Sequence, residues 1–271
     1  MNRIGSAVAV AALWMSSASA EIASLDGQDV YWIAEGEGPA IVFVHGWTCD
    51  TTAWTEQLAA FSDNYRVIAL DLPGHGLSDP SPDGQYTMDH YADAVEAVRV
   101  AAGVDDIMLV GHSMGAPVIS TYALNYPDHV EGIIAVDGGI VPPQQAQQFP
   151  QMPPDEFGVF RETVIRGFFV EATTPQIQDR VLHMMLSPSN ERASAVGSSM
   201  GSFVADGEGQ LEVPALVVLA GTATPPDADA LGNFAPLAEV EVMPNTGHFL
   251  MMEQPAAFNA LMAGFLDAND F

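Results

Sequence analysis

Seven short apolar runs rich in β-branched residues, at 30–34, 40–44, 66–70, 106–110, 132–136, 215–220 and 240–243, are separated by helical patterns and turn signals. A strand that is apolar without interruption has two faces to bury. It belongs in a parallel sheet covered on both sides, and parallel neighbours need helical crossovers. Helical patterns at 52–60, 88–102, 114–125 and 254–266 supply them. A chain of 271 residues, 48% of them hydrophobic, can build one sizeable core. The pattern predicts an α/β domain with a mostly parallel twisted sheet flanked by helices. No repeat is visible, which removes a solenoid.

The regularity breaks at 138–212. This segment opens on VPPQQAQQFPQMPPDEF and continues with helical patterns at 157–170, 175–186 and 190–203. It reads as a helical cap inserted between two parts of a core, 21–137 and 213–271. Its Phe and Met content exceeds what short surface helices need. Singly these residues read as packing; as a group they read as an apolar lid over a cleft, with Phe160, Phe168 and Met184 as the expected substrate contacts.

At the N-terminus, Arg3 precedes an apolar run over residues 7–15 that ends in Ala18-Ser19-Ala20. A charged start, a short hydrophobic stretch and small residues at a cleavage point describe a secretory leader over residues 1–20. The expectation is an exported protein, periplasmic or extracellular, with no membrane insertion after cleavage. Seven arginines, no lysine and 35 acidic residues give a formal charge of −28. That balance excludes electrostatic attraction to nucleic acid or an anionic membrane, and the acidic coat reads as a solubility feature. The single cysteine, Cys49, can form no intrachain disulfide and reads as a small packed thiol.

The stretch LVGHSMGA at 109–116 follows one of the apolar strands and precedes a helical pattern. In that context G-x-S-x-G is a nucleophile elbow. Gly111 and Gly115 keep a crowded turn clear, Ser113 projects from its apex, and the backbone N–H of Met114 faces a developing oxyanion. A serine needs a base. Of the seven histidines, His248 alone lies after the serine in the loop beyond the last strand, within PNTGHFL, where it could take the Ser113 proton. His45, His75, His90, His112, His129 and His183 read as loop or packing residues.

FVHGW at 43–47, DLPGHGLS at 71–78, GHSMG at 111–115 and TGHFLMMEQP at 246–255 together resemble the α/β-hydrolase superfamily. The resemblance implies that the backbone N–H of Trp47 is a second oxyanion donor, that His45 and Gly46 shape its loop, and that Asp71 is structural. It also implies an acid three residues after Gly221, where this chain has Thr224. Asp137, at the tip of IIAVD, is the first choice for the acid and Asp227 the alternative. Asp229 or a triad lacking an acid complete the options.

These residues predict an exported serine hydrolase that cleaves small to medium, partly apolar carboxylic esters through an acyl-enzyme, with no metal or organic cofactor. A lactonase, a carbon–carbon bond hydrolase, a perhydrolase or haloperoxidase-like enzyme, and a low-turnover binding protein use the same machinery and stay open.

Overall fold

The computed structural model describes residues 19–146, 150–204 and 209–271. Residues 1–18 of the expected leader lie outside these; its last two, Ser19 and Ala20, open the first strand. Among the described residues eight strands form one sheet: β1 (Ser19–Leu25), β2 (Gln28–Glu35), β3 (Ala40–Val44), β4 (Arg66–Leu70), β5 (Ile107–His112), β6 (Val130–Val136), β7 (Ala215–Ala220) and β8 (Ala238–Met243). Their order is β1-β2-β4-β3-β5-β6-β7-β8. From β4 to β8 every pairing is parallel, while β1 joins β2, and β2 joins β4, antiparallel. This is the mostly parallel sheet that the apolar runs called for. Every residue of β3, β5 and β7 is buried.

The helices are α1 (Thr55–Phe61), α2 (Met88–Ala102), α3 (Gly115–Asn125), α4 (Pro154–Arg166), α5 (Pro175–Leu186), α6 (Asn190–Gly197), α7 (Ala228–Phe234), α8 (Leu250–Glu253) and α9 (Pro255–Ala268). Their ends follow local chemistry. The Thr87 side chain accepts from the His90 N–H to start α2, and Gly103, at φ 66°, ends it in the left-handed conformation that suits glycine. The expected helix at 52–60 begins later, because Asp50 caps a tight 3-10 turn over Thr51–Trp54 first. The pattern at 157–170 starts earlier, on the proline pair at 153–154, and stops at Arg166. The one at 190–203 ends as a helix at Gly197 and continues as a 3-10 turn over Ser198–Ser202. Strand β1 and helix α7 were not foreseen.

The chain therefore sets α4, α5 and α6 between β6 and β7. It delivers the ends of β5, β6 and β8 to one edge of the sheet, where the loops after parallel strands converge. No helix among the described residues is long and apolar enough to cross a membrane.

Candidate active site

Ser113 is the first residue after β5, and its φ is +53°. A left-handed conformation costs a non-glycine residue about 1–2 kcal/mol, so it persists only where its surroundings impose it. They do so here by close approach. A Cβ on Gly111 would run into the Gly115 carbonyl, and one on Gly115 into the Val44 carbonyl. The Ser113 N–H donates to the Val136 carbonyl at 2.9 Å, which ties the elbow to the end of β6. Thr48, Asp137 and Asn245, on three other loops at this edge, also have positive φ.

The next residue after β6 is Asp137. Its Oδ2 accepts from His248 Nδ1 at 2.6 Å and its Oδ1 accepts from the Ala220 N–H at 2.8 Å. Burial works to raise its pKa. The hydrogen bond and charge of His248, and the Ala220 N–H, outweigh burial and hold the carboxyl below its ordinary range. Asp227 lies elsewhere: it is the N-cap of α7, and its Oδ1 accepts from the Ala230 N–H at 2.8 Å. Asp229 sits in the first turn of the same helix.

The HGW loop is fixed from below. His45 Nδ1 donates to the Gly46 carbonyl at 2.8 Å and its Nε2 accepts from the Leu72 N–H at 3.0 Å. Both ring nitrogens are used, and burial lowers the pKa of the ring. A Cβ on Gly46 would lie 2.9 Å from the Ser113 Cβ, so the backbone leading into Trp47 runs against the elbow. The Trp47 indole N–H donates to the Ala193 carbonyl of α6 at 2.8 Å. Asp71 accepts from Thr51 N–H at 2.7 Å and Leu77 N–H at 2.8 Å, which holds two loops together. Cys49 is buried, and burial pushes its thiol pKa up, away from the thiolate that reactivity would need.

His112 is less ordinary than the sequence indicated. It is fully buried, and its Nε2 donates to the His248 carbonyl at 2.8 Å. Burial, with His248 nearby, pushes its pKa down to about 3. Its ring also lies 4.7 Å from that of His248 and 4.8 Å from that of Phe249. The sequence carries no signal for this contact, because His112 and His248 are brought together only by the fold.

Two clefts adjoin at the residues after Asp137. One, of about 260 Å³, is lined by Ser113, Met114 and Asp137 with Pro117, Met200 and Phe203 among its apolar walls. The other, of about 360 Å³, is lined by Asp137 and His248 with Val217, Leu219, Ala223 and Leu231. The expected substrate contacts are not among the residues lining either cleft. Phe160 packs at a tilt against Phe157, ring centroids 5.9 Å apart, Met184 is buried with its sulfur accepting from the Thr52 hydroxyl, and Phe168 lies over the His248 ring at 4.3 Å. In the cleft beside Ser113, the cap contributes Met200 and Phe203 instead.

The family model of the alpha/beta hydrolase fold matches residues 39–181. The chain belongs to the α/β-hydrolase family. Among curated proteins of this family it is 36% identical over 150 residues to a non-heme haloperoxidase of Rhodococcus erythropolis. It is 38% identical over 110 residues to a bifunctional esterase/perhydrolase of Acinetobacter calcoaceticus. These matches cover 53% and 40% of this chain, and the same shares of those relatives. Among solved structures, Est816, an N-acyl homoserine lactone degrading enzyme, matches with a TM-score of 0.77 and 27% identity over 90% of this chain and 100% of its own. A thermophilic esterase from Thermogutta terrifontis matches with a TM-score of 0.78 at 24% identity over 94% of this chain and 99% of its own, and shows the shared fold.

Proposed function

We propose that this α/β-hydrolase is an exported serine hydrolase that cleaves carboxylic esters of small to medium size with apolar parts. The observation that carries this reading is the strained Ser113 elbow, whose preceding residue His112 packs against an imidazole with its Nδ1 held by Asp137 at 2.6 Å. A carboxylate accepting from Nδ1 keeps the proton there, so Nε2 is left basic. In the proposed mechanism Nε2 of His248 takes the hydroxyl proton as Ser113 Oγ attacks the ester carbonyl. The backbone N–H groups of Trp47 and Met114 hold the oxyanion. The imidazolium then protonates the departing alkoxide, leaving an acyl-enzyme. Water, deprotonated by the same His248, attacks the acyl carbon; the acyl–Oγ bond then breaks, the imidazolium returns its proton to the Ser113 oxygen, and the acid is released.

The clefts support a division of the substrate. The one beside Ser113 suits the acyl chain. The one beside His248 suits the alcohol, because the leaving oxygen must meet the proton that His248 returns. Wild-type protein is expected to release p-nitrophenol from short and medium acyl esters, and Ser113→Ala to abolish that turnover; full activity in Ser113→Ala would sink the assignment. Ala223→Phe, which fills the second cleft, is expected to raise KM several-fold for esters of bulky alcohols while methyl esters are unaffected. Equal effects on both would refute the division.

Peracid formation is a second reading, favoured by the match to an esterase/perhydrolase. Peroxide-dependent bromination by the wild type, lost in Ser113→Ala, would support it. The likeness to Est816 makes lactones the first ring substrates to assay.

A further inference from the structure

His248 occupies a short loop between β8 and α8, and its bond to Asp137 constrains only one ring nitrogen. The rest of its mount comes from other elements. The His248 N–H donates to the Phe168 carbonyl at 3.0 Å. The preceding Gly247 N–H donates to one oxygen of Glu253 at 2.6 Å, and the other oxygen accepts from the Thr173 hydroxyl at 3.1 Å. The His248 carbonyl accepts from His112. The imidazole touches the rings of His112, already noted, and Phe168, whose plane is tilted 32° from it.

Phe168 and Thr173 both belong to the inserted segment between β6 and β7, in the turn that follows α4. That turn is itself fastened. The Phe168 N–H donates to the Ile165 carbonyl at 3.1 Å, the Val170 N–H to the Thr173 hydroxyl at 2.9 Å, and the Gln178 side chain to the Thr173 carbonyl at 2.9 Å. The histidine loop is shaped to receive it: a Cβ on Gly247 would run into the Phe168 carbonyl oxygen. Glycine before the histidine is thus a demand made by the insertion as much as by the loop.

We propose that Phe168 and Glu253 are positioning residues for His248, so that the inserted segment forms part of the mount of the general base as well as a wall of the cleft. The inference rests on His248 serving as the base. Proton transfer from Ser113 requires the imidazole within hydrogen-bond reach in one orientation, and a misplacement of about 1 Å costs on the order of a hundredfold in rate. The Phe168 ring blocks tilting of the imidazole, and its carbonyl fixes the backbone from which the ring hangs. Glu253 joins the loop and the insertion through a single carboxylate with a donor at each oxygen. Hydrogen bonds to a charged acceptor are the stronger kind, which suits a tie that must hold between separate elements.

The alternative for Phe168 is direct contact with substrate, and the two roles separate kinetically. A substrate contact acts on KM and acyl preference; a positioning residue acts on kcat and on the reactivity of Ser113 toward any electrophile. The experiment uses the full chain and measures covalent labelling of Ser113 by a fluorophosphonate, alongside ester kcat and KM and thermal melting. Phe168→Leu and Glu253→Ala are expected to slow labelling and kcat about 10- to 100-fold, with KM within twofold. Phe168→Tyr keeps the ring, and Glu253→Gln keeps an acceptor for Gly247 and a partner for Thr173, so both are expected to recover most of the loss. Thr173→Val, which removes the hydroxyl that ties Glu253 to the insertion and accepts from the Val170 N–H, carries the test if Glu253→Ala does not fold, with Thr173→Ser, which keeps both bonds, as its control. Unchanged labelling in Phe168→Leu, or a raised KM with kcat intact, overturns the proposal. A wild type that labels at Ser113 but cleaves no ester overturns the ester reading and leaves this one to be decided by the labelling rates. A wild type that does not label overturns both.

Discussion

Asp137→Asn is expected to lower ester turnover by about a thousandfold or more, while Asp227→Asn stays within about twofold of wild type. The size of the first effect follows from the partners of the two carboxylate oxygens. The Ala220 N–H, which donates to Oδ1, still needs an acceptor, so the new amide turns its oxygen there and its NH₂ toward His248 Nδ1. That nitrogen must then accept. The imidazole proton moves to Nε2, and the nitrogen that should take the Ser113 proton is already occupied. Asn at position 227 is as good a helix cap as Asp, so α7 keeps its start and the site is untouched. Steady-state kinetics on one p-nitrophenyl ester decides the matter, and an unimpaired Asp137→Asn enzyme would remove Asp137 from the mechanism.

The second large effect is loss of stability in mild acid. His75 and His112 are buried, and burial holds the pKa of His75 well below, and that of His112 at about 3 against, an ordinary value of 6.5. As pH falls through about 6.5 the unfolded chain takes up protons at both positions and the folded protein does not. Stability is therefore whole above that pH and declines below it. With its pKa at about 3, His112 costs about 2 kcal/mol between pH 7 and pH 5, and His75 adds a loss of the same sign, against the roughly 5–15 kcal/mol available to an ordinary domain. His45 is depressed in the same direction, but Asp71 beside it is raised by burial and works in the opposite sense, so that pair is left out of the sum. The lowered pKa of Asp137 adds a further loss only at lower pH, below the usual carboxylate range. Thermal melts across pH 7 to 5 should show a steep fall in Tm. His112→Gln, whose side-chain amide can still donate to the His248 carbonyl, should flatten the slope. A Tm independent of pH over that window would show that these rings are not held neutral.

Much of this was legible in the sequence because steric demand leaves few alternatives. The glycines flanking Ser113 are set by carbonyls that leave no room for a Cβ, and the central strands are apolar because both their faces are covered. Other parts were not legible. Strand β1 is mostly exposed and antiparallel at the sheet edge, so it lacks the apolar run by which its neighbours were recognised. Helix α7 is seven residues long, too short to show a period, and its cap Asp227 invited a catalytic reading when Thr224 stood where an acid was expected. The bond from His112 to the His248 loop, and the role of Phe168 beside it, join residues distant in sequence by packing alone. Apolar character pointed to Phe168 as a substrate contact of the lid, whereas it packs, partly buried, against the His248 ring.

The position of Asp137 at the end of β6 has a consequence for how such an enzyme can diverge. In the proposed triad the loop after β7 supplies no proton-transfer group, yet Ala223, Thr224 and Pro226 from that loop line the cleft beside His248. Under the proposed function, one wall of that cleft lies on a loop that carries neither the nucleophile, the base nor the acid. Substitutions at 222–226 are then expected to change the preference for the alcohol of an ester substrate while labelling of Ser113 is unaffected.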